Sequence, residues 1–334
     1  MIRLYSPRDL RVEEAPEPKL GRGEVLIRVE RAGICGTDKA LYKGTYRPRK
    51  LPLILGHEVT GTVVEAGGGS EEARALIGSR VVTEINLNCG NCWYCRNGLP
   101  THCPYRETIG ISIDGGFAEY VKSRVDIVHV VDDLTPTQAA FIEPLAAVVE
   151  MLELAPPPRS SNIAVIGVGT IGLLAIRLIS ETCEPRLLVA VTEAESPKKG
   201  IAREMGAHHT FSANELSDEI KTLTPEGLGF DYVVEASGTI QGFREAVEIV
   251  RPRGIIALKS THGIPATIDL TKLVVDEVTV AGSRCGPFEK AIDIMRRRLV
   301  PVERLVTSEY PLERGPEAME KSLDKGEVKI HLIP

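Results

Sequence analysis

Apolar and charged positions interleave through Glu24-Val25-Leu26-Ile27-Arg28-Val29-Glu30, the pattern of a strand with one wet face. Val59–Glu65, Arg80–Glu84, Phe117–Val121 and Ile127–Val131 are expected as further strands. Turn residues separate them: Pro16, Pro18, Gly21, Gly23, Gly67-Gly68-Gly69 and Gly115-Gly116. Residues 1 to about 135 therefore predict a β domain of barrel or sandwich type. The pattern changes at Thr135-Pro136, a helix N-cap followed by proline at the first helical position. The helix expected there runs to Ala155, where Pro156-Pro157-Pro158 stops it. From Asn162 short apolar runs alternate with helical stretches. Strands are expected at Ile163–Ile166, Leu187–Thr192, Asp231–Glu235 and Gly254–Leu258. Helices are expected at Ile171–Glu181, Pro197–Met205 (closed by Gly206) and Gln241–Val250. This is a βαβ series and implies a parallel sheet. A last helix is expected from Pro287 to about Arg298, followed by a strand-like tail.

Composition narrows the function. At 334 residues, 43% hydrophobic and 26% charged, the chain has the make-up of a two-domain globular protein. A net charge of −6 with no basic stripe argues against nucleic acid as a partner. No apolar run reaches membrane length, and Met1–Asp9 has no leader-like apolar core, so no membrane partner is expected and the expected compartment is the cytosol. In that compartment seven cysteines point to metal or catalysis before disulfides.

The strand Ile163-Ala164-Val165-Ile166 runs directly into Gly167-Val168-Gly169-Thr170-Ile171-Gly172, which opens an apolar helix. This is G-x-G-x-x-G in its required context. The first glycine makes the turn, the second admits a pyrophosphate, and the third packs helix on strand. The phosphates then face the N–H groups that open the helix, here from Thr170 and Ile171. The next strand ends at Glu193, where an acid binds the adenosine ribose hydroxyls and repels a 2′-phosphate. NAD is the expected cofactor. Lys198 and Lys199 follow closely and keep NADP open.

Cys89, Cys92, Cys95 and Cys103 put four thiolates in one loop. Four sulfurs complete a tetrahedral zinc and leave no open position, which makes such a site structural. An iron–sulfur cluster is the competitor, because Cys103 is followed by Pro104. The last spacing is seven residues rather than three, and no second cysteine set exists, so zinc is favoured. Elsewhere, Gly56-His57-Glu58 sets a histidine and a carboxylate at the mouth of a strand. Both reach one metal only if the backbone bends at Gly56.

Together these features resemble the zinc-containing medium-chain alcohol dehydrogenase family. The resemblance rests on Ala32-Gly33-Ile34-Cys35-Gly36-Thr37-Asp38, on Gly56-His57-Glu58-x2-Gly61-x5-Gly67, on Gly78-Ser79-Arg80-Val81-Val82, on the four-cysteine lobe, and on Gly167–Gly172. It covers nearly the whole chain. It implies an α/β plus β fold: a GroES-like catalytic domain (1–145, with a zinc lobe at about 86–105), a doubly wound Rossmann domain (146–283), and a return to the catalytic domain (284–334).

The resemblance also implies a site. Cys35 and His57 would ligate a catalytic zinc, the second metal of the chain. The third ligand position falls on Glu143, in Phe141-Ile142-Glu143-Pro144-Leu145-Ala146, the form similar to sorbitol, threonine, glucose and related dehydrogenases. Glu58 would bind the zinc directly or move in and out of its shell. Asp38 would orient the histidine, and Thr37 would pass on the substrate proton. A Cys, a His and one or two carboxylates with a water make an open site suited to Lewis-acid chemistry. The implied reaction is hydride transfer between an alcohol (a secondary alcohol, polyol or sugar) and a nicotinamide, and the family implies homodimers or homotetramers. An NADP-linked aldose dehydrogenase and a non-catalytic zinc and nucleotide binder are the alternatives. The relay histidine common in the family is absent from Lys39-Ala40-Leu41-Tyr42. His102, His129, His208, His209, His262 and His331 carry no expected role.

Overall fold

The computed structural model describes every residue except His262, Ile264 and Ala266, so His262 lies outside the described residues. The chain divides into two compact units. One holds Met1–Glu143, Ala291–Arg296 and Val306–Pro334; the other holds Pro144–Lys290 and Arg297–Leu305. The chain thus re-enters the first unit at Ala291 rather than at 284, and 297–305 belongs with the second. Side chains explain that second excursion: Arg177 Nε donates to the Leu299 carbonyl at 2.8 Å, and Arg304 pairs with Glu204.

The first unit is built on a seven-stranded sheet. Its order is Val128–Val130, Arg80–Thr83, Glu58–Ala66, Glu24–Gly33, Lys329–Ile333 and Val306–Pro311, and Tyr120–Arg124 also pairs with Glu24–Gly33. Glu24–Gly33 is central. It pairs antiparallel with Glu58–Ala66 on one side, and through its C-terminal end with Lys329–Ile333 on the other. Buried Val25, Ile27, Val29, Val59, Val63, Ile330 and Leu332 belong to one core, which supplies the apolar burial that drives folding. A three-stranded sheet, Asp9–Val12, Ile2–Ser6 and Leu53–Ile54, adds Ile2, Leu4 and Leu53 to that core.

The second unit contains a six-stranded parallel sheet in the order His209–Phe211, Leu187–Val191, Asn162–Ile166, Phe230–Glu235, Val250–Leu258 and Thr279–Gly282. In chain sequence that order is 3-2-1-4-5-6, the doubly wound dinucleotide-binding topology. Its central strand Asn162–Ile166 is buried at all five positions, as a parallel strand covered on both faces requires. The four strands expected from the sequence are present. The two edge strands were not legible, being short and partly exposed.

The helix expected from Thr135 to Ala155 is two helices, Pro136–Ala140 and Ile142–Leu154, separated at Phe141. Pro144 explains the break. It has no N–H to donate to the Ala140 carbonyl, so one helix cannot run through it. At the third position of a new helix the missing donor costs nothing. The expected strand at Phe117–Val121 lies slightly later, at Tyr120–Arg124.

Candidate active site

Three sites form, each within one unit. The first is the four-cysteine lobe. The short ribbon of Asn86–Leu87 and Glu107–Thr108 closes its base, and Arg124 Nη1 donates to the Asn88 carbonyl at 2.6 Å. Gly90 and Gly98 turn the chain between the cysteines with positive φ. The ligand atoms of Cys89, Cys92, Cys95 and Cys103 all lie within 4.8 Å of one another. Cys92 and Cys95 sulfurs are 3.5 Å apart, as are those of Cys89 and Cys103. Sulfurs around a tetrahedral zinc, at a bond length of about 2.3 Å, sit about 3.8 Å apart, so the lobe fits that ion. Backbone N–H groups of Asn91, and after them Cys92, draw the Cys89 thiol down to about 6, which preforms one thiolate. Burial and the neighbouring sulfur of Cys92 push Cys95 up to about 11, so a metal must displace its proton and binds more weakly in acid.

The second site sits where Glu24–Gly33 ends. The chain passes from Gly33 through Ile34 to Cys35, which caps helix Gly36–Lys43. Asp38, in the first turn of that helix, is fully buried. Its Oδ2 accepts from the Cys35 backbone N–H at 2.9 Å, and its Oδ1 accepts from Gly56 N–H at 3.3 Å. Gly56 takes φ +94, and a Cβ there would lie 2.3 Å from the Phe117 ring. One carboxylate thereby ties together the two segments that present Cys35 and His57. His57 Nδ1 lies 3.5 Å from Asp38 Oδ1, an electrostatic contact rather than a good hydrogen bond. Burial opposes a charge on this ring, but Asp38 and then Cys35 outweigh it and raise its proton affinity well above the ordinary histidine range. A Cys–His pair backed by a buried carboxylate suits zinc, which takes that proton's place. Thr37 is half-buried in the same turn, and Glu143 is half-buried in the first turn of Ile142–Leu154.

Cys35, His57, Glu58 and Glu143 do not gather as tightly as the lobe. Among the described residues only the four cysteines bring three or more ligand atoms within 4.8 Å of one another. Glu58 instead pairs with a buried cation, Lys329, to which no motif draws attention. Lys329 Nζ lies 2.5 Å from Glu58 Oε2 and 3.2 Å from the Ile34 carbonyl, with Lys329 only 2% and Glu58 only 1% exposed. Burial works against this ammonium, yet Glu58 foremost, with Cys35 and Glu143, holds its pKa above the ordinary lysine range. The only signal in the sequence was a lysine inside the apolar run Val328-Lys329-Ile330. Next to it, burial and the charges of Lys329 and Arg31 push His331 down to about 3, which keeps the ring neutral.

Asp38→Asn is expected to weaken zinc binding at this second site by about 10- to 100-fold, the usual cost of losing the partner of a metal-binding histidine. Competition against a chromophoric chelator measures it, and an unchanged affinity would remove Asp38 from this role.

The third site is the nucleotide loop. Gly167 adopts φ +95, and a Cβ there would lie 2.6 Å from Ser237 Cα. A Cβ on Gly172 would lie 1.8 Å from the Gly167 carbonyl oxygen, so helix Thr170–Thr182 packs on the loop only without one. Gly169, the N-cap, faces open space. The backbone there presents the helix's first N–H groups, with Thr170 and Ile171 at its start, to an approaching anion. This cradle fits a pyrophosphate. Glu193 is exposed just past the end of Leu187–Val191. Lys198 caps helix Lys199–Glu204, and Lys199 pairs with Glu215 at 3.4 Å.

A doubly wound sheet with a phosphate cradle, in a chain that also carries a cysteine–histidine metal pocket, defines a nucleotide-dependent metal oxidoreductase. Comparison with known proteins specifies it. Residues 21–133 match the alcohol dehydrogenase GroES-like domain, and residues 170–297 match the zinc-binding dehydrogenase domain. The chain is 32% identical to D-arabinitol dehydrogenase 1 of Uromyces fabae, over 100% of this chain and 97% of that protein. It is 31% identical to the sorbitol dehydrogenase of Bacillus subtilis, over 99% and 96%. A zinc-binding dehydrogenase from Sinorhizobium meliloti, solved with NADP bound, superimposes with a TM-score of 0.89 at 29% identity, over 100% of this chain and 98% of that one. The chain belongs to the zinc-containing medium-chain alcohol dehydrogenase family. It is an NAD(P)-dependent dehydrogenase of alcohols or polyols. Among the described residues no helix is long and apolar enough to cross a membrane.

Proposed function

We propose that the chain oxidises a secondary alcohol or polyol with NAD, using a catalytic zinc held by Cys35, His57 and Glu143 and a structural zinc held by Cys89, Cys92, Cys95 and Cys103. The observation that carries this reading is the Asp38 carboxylate, which binds the backbone at both Cys35 and Gly56 and faces His57. Zinc in this site supplies a Lewis acid that makes an alcohol hydroxyl easier to deprotonate, and the nicotinamide accepts the hydride. The chain's own work is positional. Asp38 faces Nδ1 of His57, which would leave the other ring nitrogen for the metal. Thr37, half-buried two residues from Cys35, accepts the substrate's proton as it gives its own hydroxyl proton toward solvent. Glycines 167, 169 and 172 hold the pyrophosphate against the helix N-terminus.

Glu193 supports NAD. An exposed carboxylate at the end of the second strand pairs with ribose hydroxyls and repels a 2′-phosphate. Glu193→Ala is expected to shift the ratio of kcat/KM values for NAD and NADP toward NADP by about 10- to 100-fold, or roughly 1.4–2.8 kcal/mol. Initial rates with each cofactor measure it; a ratio that does not move would take the discrimination away from Glu193. The exposed edge strand Thr279–Gly282, with exposed Val274 and Val275 nearby, supports a homodimer or homotetramer. The seven free cysteines suit a reducing cytosol.

The test of the whole reading is a panel of primary alcohols, secondary alcohols, polyols, aldoses and threonine, read by the absorbance of reduced cofactor. Two zinc ions per chain and turnover of a secondary alcohol or polyol are expected. Zinc and nucleotide binding without turnover of any member would overturn it.

A further inference from the structure

Glu58 and Lys329 meet across the sheet because the strand between them has no side chain in the way. Glu58 and His331 both stand opposite Gly33, on the strands that flank it. Lys329 lies two residues before His331 on the same strand, and so on the same face. A Cβ on Gly33 would sit 2.2 Å from Glu58 Oε2, closer than any real side chain permits. The Glu58 carboxylate therefore lies over Gly33 and reaches the Lys329 ammonium at 2.5 Å. The same ammonium donates to the Ile34 carbonyl, one residue before Cys35. Both charged groups are buried, and two buried charges persist only as a pair.

We propose that Lys329 is a positioning residue that holds Glu58 in the wall of the catalytic metal site and out of its ligand set, and that Gly33 is the gap that lets the two meet. This rests on the reading of Cys35, His57 and Glu143 as zinc ligands. Charge explains the need. A thiolate and one carboxylate already neutralise a divalent ion. Glu58 is a third anion beside it, and Lys329 is its counter-charge. With the ammonium gone, a buried unpaired carboxylate has one strong partner left, the metal. It would then occupy the position that an open catalytic site keeps for substrate.

The test compares wild type, Lys329→Met, Lys329→Arg, Gly33→Ala, Glu58→Gln and Lys329→Met/Glu58→Gln. Zinc release to a chromophoric chelator and the visible spectrum of the cobalt-substituted protein report the ligand set; kcat and KM are measured beside them. In Lys329→Met and Gly33→Ala, zinc release is expected to slow by about 10- to 100-fold, the scale of altered metal surroundings. The cobalt bands shift and kcat falls, while the KM for cofactor stays constant. Lys329→Arg keeps wild-type behaviour. Once position 58 is Gln, removing Lys329 changes neither zinc release nor spectrum. That double variant leaves no lone buried charge, so it is also compared with wild type: equal zinc release and spectrum are expected, and this comparison stands even where Lys329→Met or Glu58→Gln, each with one unpaired buried charge, does not fold. Equal release and identical spectra in wild type and Lys329→Met would overturn the proposal, as would a further effect of Lys329→Met on the Glu58→Gln background. Failure of the underlying metal reading looks different: wild type would then hold one zinc, and Cys35→Ser would not change that number.

Discussion

Cys35→Ser is expected to remove one of two zinc ions and to lower kcat by at least about a thousandfold, the scale on which losing a group that stabilises developing charge is felt. The fold should survive. Asp38 holds this corner through the backbone N–H groups of Cys35 and Gly56, and neither bond involves the cysteine sulfur. Serine keeps those N–H groups and the extended backbone of the helix cap. What it loses is the thiolate. A serine hydroxyl is not ionised at neutral pH and is a poor partner for zinc. One of the two anions that balance the ion disappears, and His57 is left facing Asp38 in a pocket that then prefers a proton. Elemental analysis should give one zinc per chain instead of two, with the melting temperature within a few degrees of wild type (about 1 kcal/mol or less). Retention of both ions, or of full turnover with one, would sink the assignment of Cys35.

How much of this was legible in the sequence depends on how local each feature is. The nucleotide loop is a strand, a turn and a helix in consecutive residues, so its glycines carry their own context. The cysteine lobe is likewise closed by turns within the segment from Cys89 to Cys103. The catalytic donors are different. The proposed set runs from Cys35 to Glu143, and the segments that carry Cys35 and His57 meet only because Gly33 stands opposite Glu58 in the sheet and Asp38 reaches Gly56. Resemblance to a family supplied that grouping; periodicity did not. Lys329 was out of reach on either basis, since its partner lies 271 residues away and no motif surrounds it. The edge strands His209–Phe211 and Thr279–Gly282 escaped for another reason. With few residues and weak burial, they show neither the continuous apolar run of a central strand nor a clean alternation.

Cys92→Ser is expected to act on stability and leave the chemistry alone. The lobe has no open ligand position once four sulfurs hold an ion, so it offers substrate no place to bind. Its other supports include a ribbon of two-residue strands, hydrogen bonds from Arg124 to the Asn88 carbonyl and from Arg106 to the Cys103 carbonyl, and glycine turns that fix nothing by themselves. Trp93, Tyr94, Leu99 and Tyr105 are exposed there, so apolar burial does not replace the metal. In small isolated domains a zinc of this kind supplies about 10–16 kcal/mol of folding free energy. Here the loop is anchored at its base, and only part of that reaches the rest of the chain. A loss of about 2–3 kcal/mol, or a melting temperature lower by roughly 5–10 °C, is the expected scale. Proteolysis should then cut between Cys89 and Cys103, while kcat below the transition stays within about threefold of wild type, the range typical of changes away from a site. Loss of turnover at an unchanged melting temperature would mean that the lobe takes part in catalysis. The opposite signatures of Cys35→Ser and Cys92→Ser follow from one difference in coordination. Three protein ligands leave a metal a place to do chemistry, and four leave it only a fold to hold.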